Sequence, residues 1–277
     1  MKGLLRCSSF IFCLTFCPSL FSQNILITYQ KSDALFVCGT DTFFVQVKNT
    51  GLIPITAATL KVVLPVGVSY QLGSVTGAVE QNVGNLVAPV FALLSLPVGA
   101  TASTSFLLSA DCAAATAIDA GQVFIADLQV NSLQGNAQIL TASFPIETGL
   151  LLIDSVDQVL LTGTRDDTLF RKIWVRNTRL GKIGTLHFED AHQPGLEVTL
   201  PGATSQTSGG TATEGEFAGS FFTSFGDGDS WLEQGETACF TEKIVITDCG
   251  IPSFTNPSIL RVGWGCEGQL CRYDSLL

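Results

Sequence analysis

The sequence predicts an all-β protein built as two tandem β-sandwiches, and three observations predict it. Apolar residues alternate by two along much of the chain, whereas sustained spacing by three and four is hard to find. A short constellation, Val47, Asn49, Thr50 and Gly67, recurs as Val175, Asn177, Thr178 and Gly195 at a constant offset of 128. The length of 277 residues holds two copies of such a unit, and a copy of this size matches one sandwich of roughly 100 residues or slightly more.

Residues 1–22 carry Lys2 and Arg6, an apolar stretch from Phe10 to Phe16, then Pro18 and small residues before Gln23. That order is the pattern of a secretory signal peptide cleaved after Ser22. The stretch is too short to span a bilayer comfortably, and Phe16 is a poor neighbour for a lipid-modified Cys17, so cleavage is preferred over a lipid anchor. Cleavage removes Cys7, Cys13 and Cys17 and leaves six cysteines. An even number outside the cytoplasm reads as disulfides.

The first repeat, residues 23–147, opens on strands. In TFFVQVKNTG, Phe43, Val45 and Val47 share one face while Phe44, Gln46 and Lys48 share the other, as a half-buried strand requires. Leu60, Val62 and Leu64 repeat the alternation, and NTGLIPIT between them carries the Gly and Pro that turn the chain. The apolar run NLVAPVFALLSLPVGA is broken by Pro89 and Pro97 and reads as two strands. No transmembrane segment of about 18 uninterrupted apolar residues follows the leader. In the second repeat, residues 148–277, Ile173 and Val175 alternate with Trp174 and Arg176, and Leu186 and Phe188 with His187 and Glu189. Charge density steps up at the boundary near Glu147: three Lys and seven acids precede it, nine cations and 17 acids follow. Residues 201–219 hold little that can be buried and read as a long loop or a frayed hairpin.

A formal charge of -10 and a pI near 4.5 oppose the phosphate neutralisation that nucleic-acid binding needs. With two His, and no Gly-x-Ser-x-Gly elbow, P-loop or dinucleotide fingerprint, the chain is expected not to be an enzyme. Four carboxylates, Asp227, Asp229, Glu233 and Glu236, crowd a loop with Gly226, Gly228 and Gly235. Hard oxygen ligands at that density point to a structural calcium ion, although Ala238 stands where an EF-hand has its bidentate Glu. A solvated acidic turn is the alternative. Separation and position suggest the pairs Cys38–Cys112, Cys239–Cys249 and Cys266–Cys271 among 15 possible pairings, with a zinc site of Cys239, Cys249, Cys266 and Cys271 as the rival. His187, Glu189, Asp190 and His192 read as the exposed end of a strand running into a loop, or else a metal or catalytic cluster. Trp174, outward between Lys172 and Arg176, is the candidate platform for a sugar ring; Trp231 and Trp264 cover the acidic loop and a cysteine.

VKNTG followed by LKVVLPVGVSYQLGSVTG resembles the conserved sandwich repeat of long secreted cell-surface proteins of gliding bacteria. GDGDSWLEQGE and VGWGCEGQLC resemble motifs of the same gliding-motility-associated proteins. The resemblance implies immunoglobulin-like modules with a structural or adhesive role. The chain departs from that pattern at Arg179, which replaces the Gly after Asn-Thr, at His192-Gln193-Pro194-Gly195 and at Gln234. It stops six residues after Cys271, where members of the family continue to a sorting domain. Asp154-Ser155-Val156, Asp167-Thr168-Leu169 and Asp274-Ser275-Leu276 resemble short O-glycosylation sites of such bacteria. The expectation is a secreted or cell-surface, non-catalytic adhesive module whose partner is a surface glycan or protein. A carbohydrate-binding module and a secreted hydrolase are the alternatives.

Overall fold

The computed structural model describes residues 24–31, 34–132, 135–143, 145–158, 160–248 and 254–277. The expected signal peptide and Cys249 lie outside them. Strands of the amino-terminal half are β1 (Ile25–Lys31), β2 (Leu35–Phe36), β3 (Thr40–Asn49), β4 (Thr59–Val63), β5 (Val68–Tyr70), β6 (Val79–Glu80), β7 (Val90–Ala92), β8 (Thr101–Ala110), β9 (Ile125–Ser132), β10 (Gly135–Ser143) and β11 (Ile146–Glu147). Those of the carboxy-terminal half are β12 (Leu151–Val156), β13 (Leu160–Gly163), β14 (Thr168–Asn177), β15 (Thr185–Ala191), β16 (Leu196–Thr199), β17 (Ser205–Ser208), β18 (Ala212–Ala218), β19 (Thr237–Ile246), β20 (Phe254–Pro257), β21 (Ile259–Cys266) and β22 (Gln269–Leu276). Among the described residues the protein is all-β apart from a short helix, α1 (Cys112–Asp119), and a 3₁₀ turn at Gly219–Ser224.

In the first half the sheets run β1-β3-β8-β5 and β10-β9-β4-β7-β6; in the second they run β12-β14-β19-β16 and β22-β21-β15-β18-β17. The two orders are the same once each strand is replaced by its counterpart. No sheet among the described residues draws strands from both sides of residue 147.

Local chemistry repeats with the topology. Asn49 and Asn177 are both fully buried. Asn49 Nδ2 donates to the carbonyls of Ile53 (2.8 Å) and Leu96 (3.0 Å), while Asn177 Nδ2 donates to those of Gly181 (2.7 Å) and Leu232 (2.9 Å). Each Oδ1 accepts a backbone N–H two residues on, from Gly51 and from Arg179. A buried amide can persist only when its donors and acceptor are satisfied, so this knot ties the end of β3 or β14 to two loops at once. Thr50 and Thr178 then bond back to the carbonyls of Asn24 and Leu150.

The same positions reveal where the halves part company. Phe43 on β3 faces Phe106 on β8, their rings 5.6 Å apart, with buried Val62 on β4 in the opposite sheet. At the equivalent places stand Arg171 on β14, Glu242 on β19 and Asp190 on β15, all fully buried. Arg171 Nε donates to Glu242 Oε2 at 2.7 Å, and Nη2 donates to Asp190 Oδ2 at 3.1 Å. One cation between two carboxyls leaves an excess negative charge in a dry core, and Asp190 Oδ1 and Glu242 Oε1 have no hydrogen-bond partner. Desolvation first, and the Asp190 charge second, push the Glu242 carboxyl well above its ordinary value against the pull of Arg171. A proton held by Glu242 satisfies both oxygens and the charge balance. The exposed reading of His187, Glu189, Asp190 and His192 therefore needs correction: Asp190 and His192 are buried, because inward positions on β15 and in the following turn belong to the core whatever their residue type.

Two disulfides join the halves. They link Cys38 to Cys266 and Cys112 to Cys271, with 3.9 Å between the sulfurs of Cys112 and Cys266. The expected pairs Cys38–Cys112 and Cys266–Cys271 are thus replaced by a crossed arrangement of the same four residues. The cause is position: the tip of the β21–β22 hairpin meets the Cys38 turn and the first turn of α1, so each sulfur finds its partner in the other half. The expected Cys239–Cys249 pair falls on Cys249, outside the described residues; Cys239 itself sits on the outer side of β19, and with Cys266 and Cys271 bridged the rival zinc set loses half its ligands. Burial pushes the Cys239 thiol up. Arg272 adds an ion pair to Asp119 at the end of α1 and donates to the Gly149 carbonyl at 3.2 Å.

Helix α1 was not foreseen. Asp111 caps it by accepting the Ala113 N–H at 2.8 Å, and Ala114, Ala115 and Ala117 face the core. Residues 201–219, read as a long loop or a frayed hairpin, hold the hairpin of β17 and β18, in which Thr213 and Phe217 turn inward and Glu214 and Glu216 outward. No helix among the described residues is long and apolar enough to cross a membrane.

Candidate functional site

The acidic loop folds around its own backbone. Asp227 Oδ1 accepts the Asp229 N–H at 3.1 Å, and Asp229 Oδ1 accepts the Trp231 N–H at 2.7 Å. Glu236 accepts the N–H groups of Asp227 (3.0 Å) and Glu233 (2.7 Å), closing the loop. Gly226, with φ of 52°, has no room for a side chain because a Cβ there would enter the Glu236 carboxylate. Asp227, Asp229 and Glu233 bring one oxygen each within 4.8 Å of one another, whereas Glu236 stands outside that group as the loop's fastener. Lys182 pairs with Glu233. That hydrogen bond, with the charges of Asp229 and Asp227, holds its ammonium above the ordinary value despite desolvation.

The loop sets the position of Trp231, whose ring lies on Gly184 just before β15; a Cβ at 184 would come within 2.7 Å of it. Trp231 walls a cavity of about 440 Å³, together with Thr185, Thr204, Glu216, Ser230 and Glu267. A second cavity of about 230 Å³ adjoins it at Glu216 and is lined by His187, Ser205, Thr207, Glu214 and Tyr273. Both lie on the outer face of the sheet β17-β18-β15-β21-β22, because His187, Glu216 and Gly265 alternate with the buried Leu186, Phe217 and Trp264.

The groove exists because β21 has no side chains there. Gly263 and Gly265 occupy successive outward positions, and the β21–β22 register shifts beside each of them. A Cβ at Gly263 would enter the Arg272 carbonyl, and one at Gly265 the Gln269 carbonyl. The bulged β22 curls over the bare strand and becomes a wall. Gly265→Ala is expected to lower stability by about 1–3 kcal/mol through overpacking against backbone, read as a lower midpoint in urea; an unchanged midpoint would show that the hairpin does not need this contact.

Electrostatically the groove is acidic. Glu214, Glu216 and Glu267 line it, and His187 Nε2 faces Glu216 at 3.8 Å. Desolvation lowers the His187 pKa, with the two Glu charges opposing, so the ring is neutral at pH 7. Burial first, then the charges of Glu189 and Glu214, push the Tyr273 phenol up to about 12. Arg261 is engaged by Glu189 at 3.2 Å.

Trp174 is half-buried on the outer face of β14, opposite Cys239 and Ser155, between the exposed Lys172 and Arg176. Trp264 is buried, with Arg272 over its ring at 5.7 Å. Ser155 and Thr168 are exposed, while Ser275 is half-buried and its hydroxyl accepts the Ile153 N–H at 3.3 Å. The groove's Glu214 and Glu216 were not singled out in the sequence. The signal was present in GWG, whose glycines fall at outward strand positions where a side chain is the rule.

Comparison with protein families and with curated proteins found no match. Among solved structures, a DUF4466 family protein from Parabacteroides merdae is similar at 8% identity and a TM-score of 0.33, over 82% of this chain and 100% of that one. An inactive mutant of a GH20 exo β-N-acetylglucosaminidase from Vibrio harveyi is similar at 9% identity and a TM-score of 0.24, over 54% of this chain and 24% of that one. Likeness at this level assigns neither a family nor an activity.

Proposed function

We propose that the chain is a secreted or cell-surface, non-catalytic module made of two immunoglobulin-like β-sandwiches, residues 23–147 and 148–277, with a structural or adhesive role. The repeated strand order, marked once in each copy by the buried Asn49 and Asn177, is the observation that carries the reading. Crossed disulfides fasten one sandwich to the other, so binding surfaces keep a fixed relation outside the cytoplasm. Beads coated with the mature chain are expected to be held under flow on a surface glycan or protein without product release. Turnover of a glycan or peptide that disappears in Glu236→Gln or His187→Ala would replace this reading with the hydrolase one.

A structural calcium ion belongs to the same proposal. Asp227, Asp229 and Glu233 fit it by donor type and spacing, and Lys182 is its competitor for Glu233. Chelator is expected to lower the melting temperature by several degrees, since an ion at a hundred times its Kd contributes about 2.7 kcal/mol; Lys182→Met should strengthen calcium binding. An unchanged melt at low ionic strength would leave the loop a solvated turn.

Glycan binding is the second reading, favoured by the groove. A concave site with Trp231 and Tyr273 on its walls and hydroxyls from Thr185, Thr204, Ser205 and Thr207 suits a sugar chain better than the open face around Trp174. Binding lost in Trp231→Ala and kept in Trp174→Ala would support it, and the reverse would return the site to Trp174.

A further inference from the structure

We propose that the groove selects glycans carrying free amino groups, an inference that rests on the glycan-binding reading. Glu214, Glu216 and Glu267 reach its lining, no Lys or Arg does, and His187 is held neutral by desolvation. A ligand entering this space meets net negative charge with no internal counter-ion. A neutral sugar leaves those carboxylates without compensation, whereas an ammonium supplies charge-assisted hydrogen bonds to them. Trp231 lines the same cavity, and an indole attracts a cation as well as a sugar's apolar side.

The position of the groove decides between a sugar and a basic peptide. A peptide strand adds to a free sheet edge through main-chain hydrogen bonds. Here the floor is β18, β15 and β21, each paired on both sides, so recognition must come from side chains and ring faces. Hydroxyls at Thr185, Thr204 and Ser230 complete a surface suited to a polyol.

Calorimetric titration of the mature chain with the tetrasaccharides of glucosamine, N-acetylglucosamine and glucose, and with tetralysine, tests this. The glucosamine oligomer is expected to bind at least tenfold more tightly than the other three. Glu214→Gln/Glu216→Gln should lose at least tenfold of that affinity while keeping the wild-type melt. Trp231→Ala should weaken every sugar. Equal binding of the acetylated and free amino sugars would overturn the charge selection and leave glycan binding standing. No sugar binding would overturn both. Tetralysine binding as tightly as the sugar, or a double variant that binds like wild type, would also overturn the proposal.

Discussion

Arg171→Met is expected to cost about 3–5 kcal/mol of unfolding free energy, the range for a buried ion pair that loses one partner, while the triple change Arg171→Phe, Asp190→Val, Glu242→Phe is expected to recover it or exceed the native value. The reason is internal to the chain. Its first half fills the equivalent space with Phe43, Val62 and Phe106 and nothing charged, so an apolar solution to this geometry already exists. Removing Arg171 alone strands two carboxyls in a core closed to solvent. Urea unfolding of the two variants beside the native chain checks the claim, and an Arg171→Met variant as stable as the native chain would sink it.

The sign of the pH effect follows from Glu242. Its carboxyl titrates above the ordinary 4.5 when folded, so the folded chain holds a proton that the unfolded chain releases. Its contribution to stability is complete below about that value and is lost as pH rises through the folded pKa. Glu242→Gln, which keeps shape and supplies a permanent donor, should flatten the decline measured between pH 5 and 9. An unaltered slope would assign the decline to other groups.

Tryptic digestion without reduction is expected to yield one species in which residues 32–48, 62–165 and 262–272 are held together. Cys266 and Cys271 share the last peptide, and each is bonded to a different peptide of the first half. Pairing by nearness in sequence would give two species instead, one of them the single peptide 262–272 with an internal bridge. Reduction of the intact chain should be costly: closing a loop across a separation of 228 or 159 residues is worth about 5 kcal/mol in the chain-entropy model, with less for the second bridge because the loops overlap. The expected readout is a large fall in melting temperature together with faster proteolysis around residue 147.

Strand alternation was legible because Phe43, Val45 and Val47 obey it plainly, and the duplication because a satisfied buried Asn is hard to replace and so marks both copies. The four bridged cysteines were legible as a set but not as pairs, since pairing depends on where the β21–β22 hairpin tip docks. Arg171 escaped notice although its offset of 128 from Phe43 places it at an inward position. Alternation reports which way a side chain points, not whether a charge there has found partners. Asp227, Asp229 and Glu233 converge as their crowding suggested, yet the role of Glu236 turned on backbone N–H groups that composition does not display. The groove depends on two bulges, and register shifts leave only the faint trace of paired glycines.

A ribosome delivers Cys38 and Cys112 long before it delivers Cys266 and Cys271. An oxidant acting on the emerging polypeptide therefore meets a nearby pair that the finished molecule does not contain. The native connectivity is reached only if that early bond is withheld or later exchanged, so docking of the β21–β22 hairpin is the step that settles which cysteines pair.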